Sequence, residues 1–203
     1  MANLKGVRAH GRLLPHDNVV MHISAFSSRE GIKPRLIVLH DTEGHNLKGV
    51  SDLRSLGQMF ENSARTGINQ RSSHVATDAE GHSARFVNDE DKAWHVGNWN
   101  KWTLGIEQIG KASQASWPNA QLLETARWIA KWHRDFEIPI QHGKVRQDRL
   151  EIVRAGVIRH SELGALGGGH SDPDGSPPSG RYPFDEVLRV ARGFQHLYER
   201  AHG

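Results

Sequence analysis

The stretch RLIVLH, Arg35–His40, is where the reading of the chain begins. Its apolar core is short and includes β-branched residues, which fits a buried strand better than a helix. The strand ends at His40, and DTEGHN (Asp41–Asn46) behind it reads as a loop. Next, GVSDLRSLGQMFEN (Gly49–Asn62) sets Val50, Leu53, Leu56, Met59 and Phe60 near helical spacing. SSHVATDAEGHSARFV (Ser72–Val87) reads as a hairpin, with Val75 and Phe86 in its arms and Asp78-Ala79-Glu80-Gly81 as the turn. WTLGIEQIG (Trp102–Gly110) alternates Leu104 and Ile106 and predicts a further strand. Pro118 opens a helix to about Phe136, with Leu122, Ala126, Ile129 and Ala130 on one face. GVIRH (Gly156–His160) is another short strand. Pro183 opens the last helix, carrying Phe184, Val187, Leu188, Ala191 and Phe194. Residues 1–33 read as an irregular N-terminal arm with short strands, part of the same domain as residues 34–203. Alternating strands and helices predict the α/β class: a single domain with a central mixed β-sheet flanked by helices.

A length of 203 residues makes one domain the default. Apolar residues are only 36% of the chain, but they cluster in the periodic runs above, so a core is feasible. Lys and Arg total 26 against 23 acids, and no compact basic run or aromatic-basic stripe accompanies that small excess, so nucleic acid is not indicated as a partner. The absence of cysteine excludes a disulfide framework and a thiolate zinc site. Any metal must therefore be held by His, Asp or Glu. The opening MANLKGVRAHGRLL lacks the apolar segment of a secretory signal, and no run approaches membrane-spanning length. Synthesis in the cytoplasm without a membrane partner is the expectation. GSPPSG (Gly175–Gly180) reads as a loop rather than a domain linker.

RHSELGALGGGHSDPDG (Arg159–Gly175) concentrates histidines and carboxylates on a backbone broken by glycines. Such a segment can be neither a long helix nor a central strand. His40 and His160 each close a strand, and neighbouring strands that end at one sheet edge bring their last side chains together. A flexible loop can return Asp172 to the same point. Two imidazoles and a carboxylate with an open fourth position form a ligand set of catalytic zinc. The other reading of Asp172-Pro173-Asp174-Gly175 is a plain turn. Spacing alone leaves both open.

LIVLHDTEG, SSHVATDAEGH, DKAWHVGNWN, LGIEQIG, VIRHSELG and GGGHSDPDG follow one another from Leu36 to Gly175. Together they resemble the zinc-dependent N-acetylmuramoyl-L-alanine amidases of the type-2 amidase and peptidoglycan recognition protein superfamily. The likeness is strongest to amidase domains of endolysins from phages of mycobacteria and related actinobacteria. The resemblance implies the fold of that superfamily, Zn2+ as cofactor, and bacterial peptidoglycan as partner. It implies cleavage of the amide between N-acetylmuramic acid and L-alanine, after release to the wall of a lysing host. His40, His160 and Asp172 are the implied ligands; Asp174, inserted before Gly175, is the alternative to Asp172. Glu107 is the implied assistant of the attacking water, and His170 a donor to the oxyanion. Trp94, His95, Trp99 and Asn100 are the implied substrate-binding residues. Ser73 stands where some relatives carry a catalytic tyrosine, so that role is absent or falls to Glu107. His74 is expected to be a satisfied buried histidine, and His45 a surface loop residue. A non-catalytic peptidoglycan-binding module of the same fold is the alternative, and it would lack the metal set. A histidine-metal nuclease would need a basic groove instead. These residues carry no reading of oligomeric state.

Overall fold

In the computed structural model, which describes residues 8–44, 49–111, 116–174 and 182–202, the expected runs become short strands and three long helices. In chain order they begin with β1 (Asp17–Val20), β2 (Phe26–Ser28), β3 (Leu36–Leu39) and α1 (Val50–Thr66). Then come β4 (Val75–Thr77), β5 (Ser83–Arg85), β6 (Asp91–Ala93), β7 (Thr103–Gln108) and α2 (Asn119–Phe136). The chain closes with β8 (Lys144–Arg146), β9 (Glu151–Arg154), β10 (Gly156–Arg159) and α3 (Phe184–His202). His45 and the GSPPSG loop lie outside the described residues.

The central sheet has six strands in the order β1-β5-β4-β7-β3-β10. β4 and β5 pair antiparallel, as a hairpin must, and every other neighbour is parallel. The chain is thus one α/β domain with a mixed sheet flanked by helices. Two small sheets, β2-β6 and β8-β9, lie outside it. Among the described residues no helix is long and apolar enough to cross a membrane.

The pleat sends successive side chains to opposite faces, and the core clusters follow it. Ile37, Leu39, Leu104, Ile106 and Val157 pack with α2 and α3, through Leu122, Ile129, Val187 and Phe194. Leu36, Val38 and Ile158 pack on the other face with Trp99 and Leu163. α1 presses Leu53 and Phe60 against Ala76, Ala84 and Phe86. The residue that follows β3 on the Leu36–Val38 side is His40, and the one that follows β10 on the Ile158 side is His160. Both therefore leave the sheet on the face away from α2 and α3.

Two features differ from the sequence expectation. α1 runs past Asn62 to Thr66 and stops at Gly67, whose left-handed φ of 69° returns its N–H to Ala64 O. The last turn is polar, so apolar spacing does not reveal it. The β8-β9 hairpin is absent from the sequence reading. Its strands, KVR and EIVR, are only three and four residues long with one paired inward apolar residue each, Val145 and Ile152, and its turn uses Leu150 at φ 50°, so both a long enough apolar alternation and the usual Gly or Asn are missing. In the arm, β1 takes an edge position beside β5, and β2 pairs with β6.

Glu124 fastens the arm to α2. Its fully buried carboxylate accepts from Arg12 (2.8 Å), the His16 N–H (2.9 Å), Ser83 Oγ (3.2 Å) and Arg127 (2.9 Å). A Glu124→Ala change orphans the His16 amide and takes the carboxylate from Arg127, while exposed Arg12 is free to return to water and the Ser83 hydroxyl keeps His16 O at 2.7 Å. We expect a loss at the lower end for broken buried ion pairs, about 3 kcal/mol, read by urea denaturation.

Candidate metal centre and groove

Strand register builds the site. Arg159 pairs with Leu39, and Leu39 pairs with Ile106. One residue further on, His160, His40 and Glu107 make a row across the carboxyl ends of β10, β3 and β7. The ladder continues through that row: His40 N–H donates to Ile106 O at 2.9 Å, and Gln108 N–H to His40 O at 3.2 Å. The carboxyl ends of parallel strands are where open α/β sheets place their ligands.

Two imidazoles and one carboxylate meet there. His40 Nδ1 lies 3.0 Å from His160 Nδ1, His40 Nδ1 lies 3.3 Å from Asp172 Oδ2, and His160 Nδ1 lies 3.0 Å from Asp172 Oδ1. All three residues are buried. The outer nitrogen of His160 is 2.8 Å from Gly167 O. In a neutral ring, a bond to a carbonyl fixes the proton on Nε2 and leaves Nδ1 bare. Burial first, and then His160, hold the His40 pKa down to about 4, so that ring is neutral at pH 7. Asp172, 3.0 and 3.3 Å from those two ring nitrogens, is held below the usual carboxylate range against its own burial by the imidazoles beside it. Two bare nitrogens beside a carboxylate, out of water, leave lone pairs facing one another; a cation resolves that. Around tetrahedral zinc, ligand atoms at about 2.0–2.1 Å stand roughly 3.3 Å from each other, close to the spacing here. The donor set fits zinc.

The glycine-rich loop delivers these groups. Gly164, Gly168 and Gly169 take φ values of 61°, 105° and 71°, open to glycine at little cost. The turn they make aims Gly167 O at His160 and brings Asp172 back under it. Asp172 is held by Asp41 N–H on Oδ2 (3.3 Å) and accepts Ser161 N–H on its backbone oxygen (2.9 Å). Asp174 points elsewhere: its carboxylate takes Ser161 Oγ–H at 3.2 Å and pairs with Arg159 at 3.3 Å.

The triad lines a groove of about 580 Å³, together with Glu107, Trp94 and His170. Glu107 Oε2 is buried with no hydrogen-bond partner among the described residues. Burial, then Asp172 and Asp41, push the Glu107 carboxyl well above its ordinary range. His170 is 60% exposed and stacks on His160, with centroids 4.5 Å apart and planes 24° apart. The Trp94 ring is half-buried and anchored, its indole N–H donating to Ser27 Oγ at 3.0 Å.

Residues 30–175 match the N-acetylmuramoyl-L-alanine amidase family, Amidase_2. The chain belongs to this amidase family. Among curated proteins, none matches it in sequence. Several solved structures share its fold. AmiA, a hydrolase of Staphylococcus aureus solved with its ligand, is 16% identical, covers 91% of this chain and 87% of its own, and has a TM-score of 0.63. The endolysin amidase LysCS of Clostridium intestinale is 14% identical, over 88% of this chain and 98% of its own, at a TM-score of 0.60. A mutant endolysin from Bacillus subtilis gives 16% identity, 88% and 99% coverage, and a TM-score of 0.55.

Within this amidase fold the other expected site residues divide. Trp94 and His95 line the groove; Trp99 and Asn100 do not. Trp99 is 0% exposed and packs with Leu36, Val38 and Leu163, so its face is not available to a ligand. Asn100 Oδ1 is spent on the backbone N–H groups of His95 (3.0 Å) and Val96 (2.7 Å). The expectation that both bind substrate is therefore corrected: AWHVGNWN alternates groove residues with residues that brace them. Ser73 is buried, its hydroxyl donating to Val75 O at 2.9 Å. His74 is buried, accepts the Gly105 N–H at 3.0 Å, and has a pKa lowered by burial to about 3.

Sequence reasoning missed Asp41 and Arg71, which also line the groove. Asp41 follows His40 directly, and that adjacency was an available signal; nothing local marks Arg71. A second cluster, Asp78, Glu80 and His82, belongs to the hairpin turn. The Asp78 carboxylate there is occupied by the N–H groups of Gly49, Glu80 and His82 and by the His82 ring.

Proposed function

We propose that this protein hydrolyses the amide bond between N-acetylmuramic acid and L-alanine in peptidoglycan, with zinc held by His40, His160 and Asp172. The observation that carries the reading is the convergence of two imidazoles and a carboxylate in one groove with Glu107, whose Oε2 is buried and has no hydrogen-bond partner among the described residues. Family membership supports the bond cleaved. On the sequence resemblance alone, we assign the activity to an endolysin acting on the host wall during phage release.

Zinc, when bound, supplies the Lewis acidity that amide hydrolysis needs near neutral pH. Glu107 takes a proton from the attacking water as its oxygen adds to the lactyl carbonyl carbon. The same carboxyl returns that proton to the amide nitrogen as the C–N bond breaks. The products are a lactyl carboxylate on the glycan and a free amino group on L-alanine. His170, exposed at the groove and stacked on His160, donates to the developing oxyanion. Trp94 offers an anchored aromatic face to the glycopeptide.

Mass analysis of digested peptidoglycan tests the reading. Free stem peptides beginning with L-alanine, and glycan strands of unchanged length, are the expected products. Fragmented glycan, or solubilisation that persists after complete zinc removal, rejects it.

A further inference from the structure

We infer that His95 is a positioning residue, which fixes the His40 ring so that its bare Nδ1 faces the metal site. The inference rests on the zinc-amidase reading above and changes the role expected for His95 from substrate contact to ligand orientation.

His40 Nε2 lies 2.8 Å from His95 Nδ1, and one proton must lie between them. His95 Nε2 lies 2.9 Å from Thr103 Oγ1. The Thr103 hydroxyl has two carbonyls within reach, Trp99 O and Asn100 O, each at 3.3 Å. Carbonyls only accept, so the hydroxyl proton turns to them, and Thr103 Oγ1 is left to accept from His95 Nε2–H. That leaves His95 Nδ1 bare. The shared proton therefore belongs to His40 Nε2, and His40 Nδ1 carries none. Metal-binding histidines characteristically donate their outer N–H to a fixed acceptor, which sets tautomer and ring orientation. The unusual element here is that the acceptor is a second imidazole.

The seat of His95 is built for this purpose. Gly105 lies on β7 on the same face as Glu107, two residues before it. A Cβ at Gly105 would stand 2.6 Å from His95 Nδ1 and 2.7 Å from Cε1. Only glycine lets the ring lie against the sheet beside His40. Asn100 Oδ1 grips the backbone N–H of His95 from the other side. The ring also meets His40 edge-on, with centroids 5.0 Å apart, and His74 at 5.7 Å.

Zinc dissociation constants measured by chelator competition, for the parent, His95→Ala, His95→Asn and Thr103→Val, test this. Thermal midpoints of the zinc-free proteins and KM at saturating zinc are measured beside them. His95→Ala should weaken zinc binding about 10–100-fold. Asn places Oδ1 near the position of Nδ1, so His95→Asn should restore affinity to within about threefold of the parent. Thr103→Val should fall between the two. A His95→Ala protein with the parent's affinity, or His95→Asn no better than His95→Ala, overturns the inference. Unchanged zinc affinity with a raised KM returns His95 to substrate binding and overturns it equally. If His95→Ala does not fold, Thr103→Val decides, and parent affinity there is a refutation. A parent that binds no zinc brings down the zinc reading and this inference with it.

Discussion

Replacing Glu107 by Gln slows peptidoglycan cleavage about 10²–10⁴-fold, the range for losing a general acid–base, while zinc stays bound. The same change stabilises the metal-free protein at pH 7 and not at pH 4. The sign follows from the raised folded-state pKa, caused by burial and then by Asp172 and Asp41. Below the ordinary carboxyl pKa, folded and unfolded states both carry the proton, and Glu107 costs nothing through ionisation. As pH rises, the unfolded chain gives up its proton first, because the folded site holds it more tightly. Stability then falls with pH until the folded group ionises as well. Gln never ionises, so the variant escapes that loss. Thermal denaturation in chelator at the two pH values, with zinc content and turnover measured in parallel, checks both halves. Equal gains at pH 4 and pH 7 would show that packing and not charge is responsible; full turnover would move the base to another group. A bound divalent cation opposes the push from Asp172 and Asp41, so the stability gain should shrink when zinc is restored.

Asp172→Asn is expected to weaken zinc binding by more than the roughly 10–100-fold cost of losing an outer partner. The amide keeps the shape of the carboxylate and removes its charge. His40 Nδ1 and His160 Nδ1 then face each other at 3.0 Å with no anion beside them. Stability reports the same event. At free zinc about 100-fold above the dissociation constant, the parent gains about 2.7 kcal/mol, as any ligand that binds only the folded state confers. For a chain of this size that raises the melting temperature by roughly 5–11 °C. Asp172→Asn should show almost none of that gain at the same free zinc, and its activity should fall to background. Asp174→Asn is the control: its carboxylate pairs with Arg159 and Ser161, so zinc affinity should not change. Reversal of the two results would exchange the roles of the aspartates.

Much of the fold is legible in the sequence because its signals are local. RLIVLH, LGIEQI and GVIR carry a strand period, and the runs after Pro118 and Pro183 carry a helical one, so local pattern alone places β3, β7, β10, α2 and α3. The β8-β9 hairpin escapes because its strands are only three and four residues long and its turn uses Leu150 in a left-handed conformation. Within the site, Trp94 and Trp99 look alike in sequence. One lies half-buried in the groove and the other is wholly enclosed between Leu36, Val38 and Leu163, a difference set by what the rest of the chain packs against them.

The sequence by itself determined that any metal would be held by His, Asp or Glu, since cysteine is absent, and that His40 and His160 would close strands. Tertiary structure decided what they close upon. Only the order β7-β3-β10 sets His40 beside His160, 120 residues away, and puts Glu107 in the same row. Only the folded loop chooses Asp172 over Asp174 to face them. The physical reason is that periodicity is written in neighbouring residues, whereas convergence depends on strand order and register, which the chain settles when its separate apolar faces are buried together.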